Sequence, residues 1–124
     1  MKTNIEWNGQ LVQIDTEDRL IILKEIGNAS AALMYIPGVP CHILINLEGP
    51  HPVWVWNGDK RNPSISPSIL TRLNWGADGK EICNHVFVRE GKIQYLGDCT
   101  HEYAGMTLEL PKLCDWPDEF ILWT

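Results

Sequence analysis

Residues Lys80–Gly105 read KEICNHVFVREGKIQYLGDCTHEYAG, and they decide the fold. Val86-Phe87-Val88-Arg89 and Lys92-Ile93-Gln94-Tyr95-Leu96 alternate apolar and polar side chains around Glu90-Gly91. A two-residue loop with Gly second suits a type I′ turn, so the stretch predicts a β-hairpin. In that register Arg89 faces Lys92, His85 faces Leu96, and Cys83 faces Asp98. The hairpin also carries two Cys-x-His pairs, Cys83 with His85 and Cys99 with His101. Alternation in an unbroken ladder puts the two pairs on opposite faces. A one-residue bulge at Gly97 would bring Cys99 opposite Cys83, and a three-residue loop from Glu90 to Lys92 would do the same. Either change gathers all four side chains on one face.

Outward from the hairpin, short strand signals recur at Leu11–Ile14, Leu20–Leu23, Ala31–Ile36, His42–Leu47, Val53–Trp56, Ser68–Leu73, Met106–Leu110 and Phe120–Trp123. Gly, Pro, Asn and Asp bound many of them, Asn57-Gly58 among these breaks. The pattern predicts an all-β chain, or a β-rich one with one or two short helices, built as a small antiparallel sandwich or partly open barrel. The helical candidates are Ile26–Leu33 and a turn after Trp116, where Pro117, Asp118 and Glu119 suit a first helical turn. With 124 residues, no repeat and no linker, the chain reads as a single domain, 1–124.

Composition narrows the function. A net charge of −6 argues against general nucleic-acid binding. No apolar run approaches the roughly 20 residues needed to span a bilayer, and the first residues lack a signal-peptide core. The expectation is a cytoplasmic protein without a membrane partner, whose four cysteines are reduced rather than paired. Six tryptophans are many for this length. Trp54 and Trp56 alternate with Val53 and Val55, as core-covering rings or as one wall of a peptide groove.

The segments WVWNGDKRNPSISPSIL (Trp54–Leu70) and HVFVREGKIQYLGDCTHEYAGMTLELP (His85–Pro111) resemble a family of small phage and bacterial proteins. Some of its members accompany bacterial ubiquitin-like conjugation genes (BubE-like peptidases). Pro63, Ser64, Pro67, Ser68, His85, Asp98, Cys99, His101, Ala104 and Gly105 fall on the pattern. The resemblance implies a peptidase that removes a conjugated modifier, with a protein or peptide tail, such as that of a ubiquitin-like modifier, as substrate. At position 99 it implies a serine nucleophile, where this chain carries a thiol. The pattern also places a Cys directly before its first His, whereas Asn84 separates Cys83 from His85.

Two chemical readings follow. In the first, Cys99 is the nucleophile of a hydrolase, His85 its general base, and His101 a second base or orienter. Asp98 pins the turn or orients a donor, Ser68 donates to Cys99 or to substrate, and amides around Gly105 supply an oxyanion site. That reading needs no cofactor. In the second, Cys83, His85, Cys99 and His101 hold one Zn²⁺ ion in a non-catalytic module that binds and blocks a partner protein. A buried thiol with two hydrogen-bonded histidines is the plain structural alternative.

Overall fold

The computed structural model describes residues 2–7, 10–24, 30–39, 43–50, 52–74, 81–117 and 122–123. Eleven strands are described: β1 (Lys2–Trp7), β2 (Gln10–Asp15), β3 (Ile21–Lys24), β4 (Ser30–Met34), β5 (Ile43–Asn46), β6 (Val55–Trp56), β7 (Ile65–Asn74), β8 (Glu81–Arg89), β9 (Lys92–Tyr95), β10 (Thr107–Glu109) and β11 (Leu122–Trp123). They form three open antiparallel sheets in the orders β11-β1-β2, β3-β4-β5 and β10-β9-β8-β7-β6. The all-β expectation holds. One strand, β1, went unanticipated, because Lys-Thr-Asn-Ile-Glu-Trp carries only two strongly apolar residues.

Two cores share the β3-β4-β5 sheet. Leu20, Ala32, Met34, Ile43 and Ile45 pack against Ile65, Ile69, Val86, Val88, Ile93 and Tyr95 of the five-stranded sheet. On the other face, Ile21, Leu23 and Leu33 meet Ile14, Leu113 and Trp116. The central strand β4 is thus buried on both sides, which explains a near-continuous apolar run at Ala31–Met34. That run made Ile26–Leu33 resemble a helix; from Ser30 on it is strand, because burial between two layers outweighs local propensity. Residues 25–29 lie outside the described residues. Near the other helical candidate, Leu113–Asp115 form one 3-10 turn, and 118–121 lie outside the description.

The central hairpin has its two-residue turn, with Arg89 opposite Lys92; the three-residue loop is not formed. Glu90 and Gly91 both have positive φ, 49° and 75°, as a type I′ turn requires. The Pro-Ser segment braces this turn. The Glu90 N–H donates to Ser64 Oγ at 2.9 Å, and the Gly91 N–H donates to the Pro63 carbonyl at 2.9 Å. Glu90 is the residue under backbone strain, since a non-glycine side chain disfavours left-handed φ and Asn tolerates it best. Glu90→Asn should therefore raise stability by about 0.5–1 kcal/mol, read from the urea midpoint at unchanged slope.

Candidate active site

Strand β8 separates two environments. Asn84, Val86 and Val88 are buried beneath the five-stranded sheet, while His85 and Phe87 are half-buried on its outer face. On each side of His85 the neighbouring chain carries two extra residues. In β7, Ile65 pairs with Val88 and Ile69 with Val86, so four steps on β7 match two on β8. The surplus falls on Ser66-Pro67-Ser68, which includes a cis Ser66–Pro67 peptide. Beyond β9, the Leu96 N–H still donates to the His85 carbonyl at 2.9 Å, but Thr100 rather than Asp98 is next to dock, its N–H donating to the Cys83 carbonyl at 3.0 Å. A turn closed from the Cys99 N–H to the Leu96 carbonyl at 3.3 Å takes up the difference. The slip at Gly97 is thus two residues, not one, and Cys99 does not come to face Cys83.

These two insertions converge on one imidazole. His85 Nδ1 lies 3.0 Å from Asp98 Oδ2, and His85 Nε2 lies 3.0 Å from Ser68 Oγ. An ionised carboxylate only accepts, so Nδ1 carries the proton and Nε2 offers its lone pair to the Ser68 hydroxyl. The His85 and Asp98 side chains are 25% and 52% exposed, so the array is open to solvent. Hydroxyl, imidazole and carboxylate stand in the order of a nucleophile, its base and the group that orients the base.

The thiol of Cys99 has a different neighbour. Its Sγ accepts the His85 backbone N–H at 3.3 Å and lies 3.4 Å from the His85 carbonyl oxygen. Buried with the main core, it braces the main chain of His85 while the ring points to Ser68 and Asp98. His101 lies on the opposite face of β8 from His85. Its Nε2 is 2.7 Å from Asn84 Oδ1, and its Nδ1 accepts the Tyr103 N–H at 3.2 Å. This pair of partners fixes the neutral Nε2–H tautomer. The ring packs edge-on against Tyr95 at 5.2 Å. Gly38 lies against it so closely that a Cβ there would fall 2.7 Å from the imidazole.

The two imidazoles are therefore not brought together, and Cys83, His85, Cys99 and His101 do not converge. Among the described residues, no three His, Cys, Asp or Glu side chains are grouped as a metal site requires. Cys83 is buried and Cys114 exposed, both as free thiols; Cys41 and His42 lie outside the described residues. Gly105 sits in an exposed turn with φ 78°, where the Ala104 N–H donates to the His101 carbonyl at 3.3 Å.

A groove of about 400 Å³ adjoins the Ser68 segment, lined by Ile22, Leu47, Val53, Trp54, Trp56 and Glu48 among others. Trp54 joins groove to site, its indole N–H donating to the Ser68 carbonyl at 3.2 Å. The Trp56 indole instead donates to the Asp59 carbonyl at 3.1 Å.

A β-sheet face carrying a linked serine, histidine and aspartate has the geometry used by serine hydrolases. The family model for the "bacterial ubiquitination-like system serine protease (BubE)" matches residues 8–96, and the chain belongs to that family. The matched segment includes Ser68 and His85 and ends before Asp98, Cys99 and His101. No curated protein and no solved structure matches the chain. No helix among the described residues is long and apolar enough to cross a membrane.

Sequence reasoning named Ser68 and Asp98 only as supports, because their approach to His85 depends on insertions that strand alternation does not show. It also missed Asn84 as the core-side partner of His101; a polar residue on the core-facing side of an apolar strand was the available signal.

Burial holds the His101 pKa below its ordinary 6.5, although Glu102 opposes the shift. Below pH 6.5 the unfolded ring takes up a proton that the folded ring resists, so this contribution is full above 6.5 and is lost progressively as pH falls from there through the lower folded value. Wild type should lose more stability between pH 7.5 and 5.5 than His101→Gln, measured by urea unfolding at both values.

Proposed function

We propose that the protein is a serine peptidase in which Ser68 is the nucleophile, His85 the general base and Asp98 the orienting carboxylate. The observation that carries this reading is the pair of 3.0 Å contacts that His85 makes, one through each ring nitrogen. Ser68 Oγ attacks the scissile carbonyl carbon as its proton passes to His85 Nε2. Asp98 stabilises the imidazolium that results. The C–N bond then breaks, His85 protonates the leaving amine, and an acyl group stays on Ser68. Water attacks that ester with His85 again taking the proton, and the freed carboxylate departs as Ser68 Oγ is reprotonated.

Family membership supports a protein substrate within a ubiquitin-like conjugation system, and an extended tail suits an open site on a sheet face. The groove beside Trp54 supports the same view, with its apolar wall adjoining the Ser68 segment. In this assignment Cys99 buttresses the backbone of His85, and His101 fills the core side of the sheet.

Substitution separates the two nucleophiles. Ser68→Ala should lower kcat by about 10⁴-fold or more, and Asp98→Asn by roughly 10²–10⁴-fold. Cys99→Ser keeps a donor and an acceptor at the His85 backbone and should stay within about threefold of wild type. A loss of several orders of magnitude in Cys99→Ser, with Ser68→Ala active, would return the nucleophile to the thiol. Peptide cleavage kinetics measured at constant pH make the comparison.

A further inference from the structure

Strand β7 is far longer than its partner on one side. Its residues Ile69–Asn74 all pair with β8, but β6 reaches only Ser66 and Ile65. The direction of the backbone groups along the remainder follows from His85. The His85 N–H and C=O engage Cys99 Sγ and the Leu96 N–H, both on the β9 side. In an antiparallel ladder, residues opposite each other alternate between bonded and unbonded pairs. The Leu70–His85 pair is therefore unbonded, and Leu70, Arg72 and Asn74 turn their N–H and C=O groups away from β8. No described strand meets them there. The Ser68 carbonyl has the same phase, and the Trp54 indole occupies it.

Among the described residues, the edge that begins beside the Ser68 hydroxyl and continues through Leu70 and Arg72 has no strand partner. Leu70 lies opposite His85 and shares its face, with 47% of its surface exposed. Exposed edges of this length are normally blunted or covered, because they template the addition of another strand. β6 closes the edge on the other side of Ser68, so the opening runs in one direction only.

We propose that the edge of β7 from Leu70 to Asn74 receives the substrate polypeptide as an added β-strand, with the scissile carbonyl delivered to Ser68 at its end. The inference rests on Ser68 being the nucleophile and deepens that reading. Main-chain pairing to Leu70 and Arg72 selects an extended, flexible tail over a folded surface, and reads shape before sequence. Leu70 adds one apolar contact on the His85 face.

The probe is the quenched fluorescent peptide that the wild-type chain cleaves fastest from a proteome-derived peptide library, with a panel of its single N-methyl derivatives. N-methylation removes one donor at a time. On one side of the scissile bond only, kcat/KM should fall more than tenfold at two positions two residues apart. The position between them should change less than threefold. Equal sensitivity at successive positions, sensitivity on both sides, or none at all would overturn the edge-strand inference. So would a wild-type chain that cleaves no peptide.

Arg72→Pro removes an outward N–H without touching the β8 ladder and should raise KM at least fivefold; an unchanged KM in a variant that melts like wild type would count against the inference. If that variant does not fold, the methyl panel on wild type decides alone. Undiminished cleavage of the parent peptide by Ser68→Ala would instead mark failure of the nucleophile assignment.

Discussion

The site depends on how β8 is held. His85 is fixed through its backbone before its ring does anything: Cys99 Sγ accepts its N–H, and the Leu96 N–H reaches its carbonyl. Buried Val86 and Val88 anchor the same strand to the core. With position and direction so constrained, the ring has one nitrogen toward Ser68 and the other toward Asp98. Losing either anchor would move the imidazole relative to both partners, and misplacement of about 1 Å is costly in catalysis.

The two faces of β8 separate packing from chemistry. On the inner face Asn84 and His101 form a neutral hydrogen-bonded pair among Tyr95, Tyr103 and Gly38. Burial pushes the Tyr95 phenol well above its ordinary range, so it stays protonated and donates to the Pro37 carbonyl. The Asn84 Nδ2 group is buried without a hydrogen-bond partner; the His101 tautomer set by Tyr103 keeps the amide from turning to use it. On the outer face Ser68, His85 and Asp98 are open to solvent and hydrogen-bonded in series through the two nitrogens of the His85 ring.

Much of the architecture was legible, and the reasons differ by element. Glu90-Gly91 gave both turn type and register, because only certain residues accept two successive positive φ values. The Pro-Ser segment was legible as a special stretch, but its role was not, since a serine between prolines usually serves a turn. What strand alternation could not convey was parity past Gly97. Between Leu96 and Thr100 the chain carries two residues more than β8 does between His85 and Cys83, rather than one, and that count decides whether Asp98 or Cys99 reaches the His85 ring. An apolar run such as Ala31–Met34 has no period to read, because it is buried on both sides.

The central claim is that His85 activates the hydroxyl of Ser68 and not the thiol of Cys99. A fluorophosphonate probe followed by tandem mass spectrometry tests it most directly, since the probe reacts only with an activated nucleophile. One phosphonyl group on Ser68, absent in His85→Ala, is the predicted result. An active protein that carries no adduct on Ser68, and that loses activity on alkylation of Cys99, would contradict it.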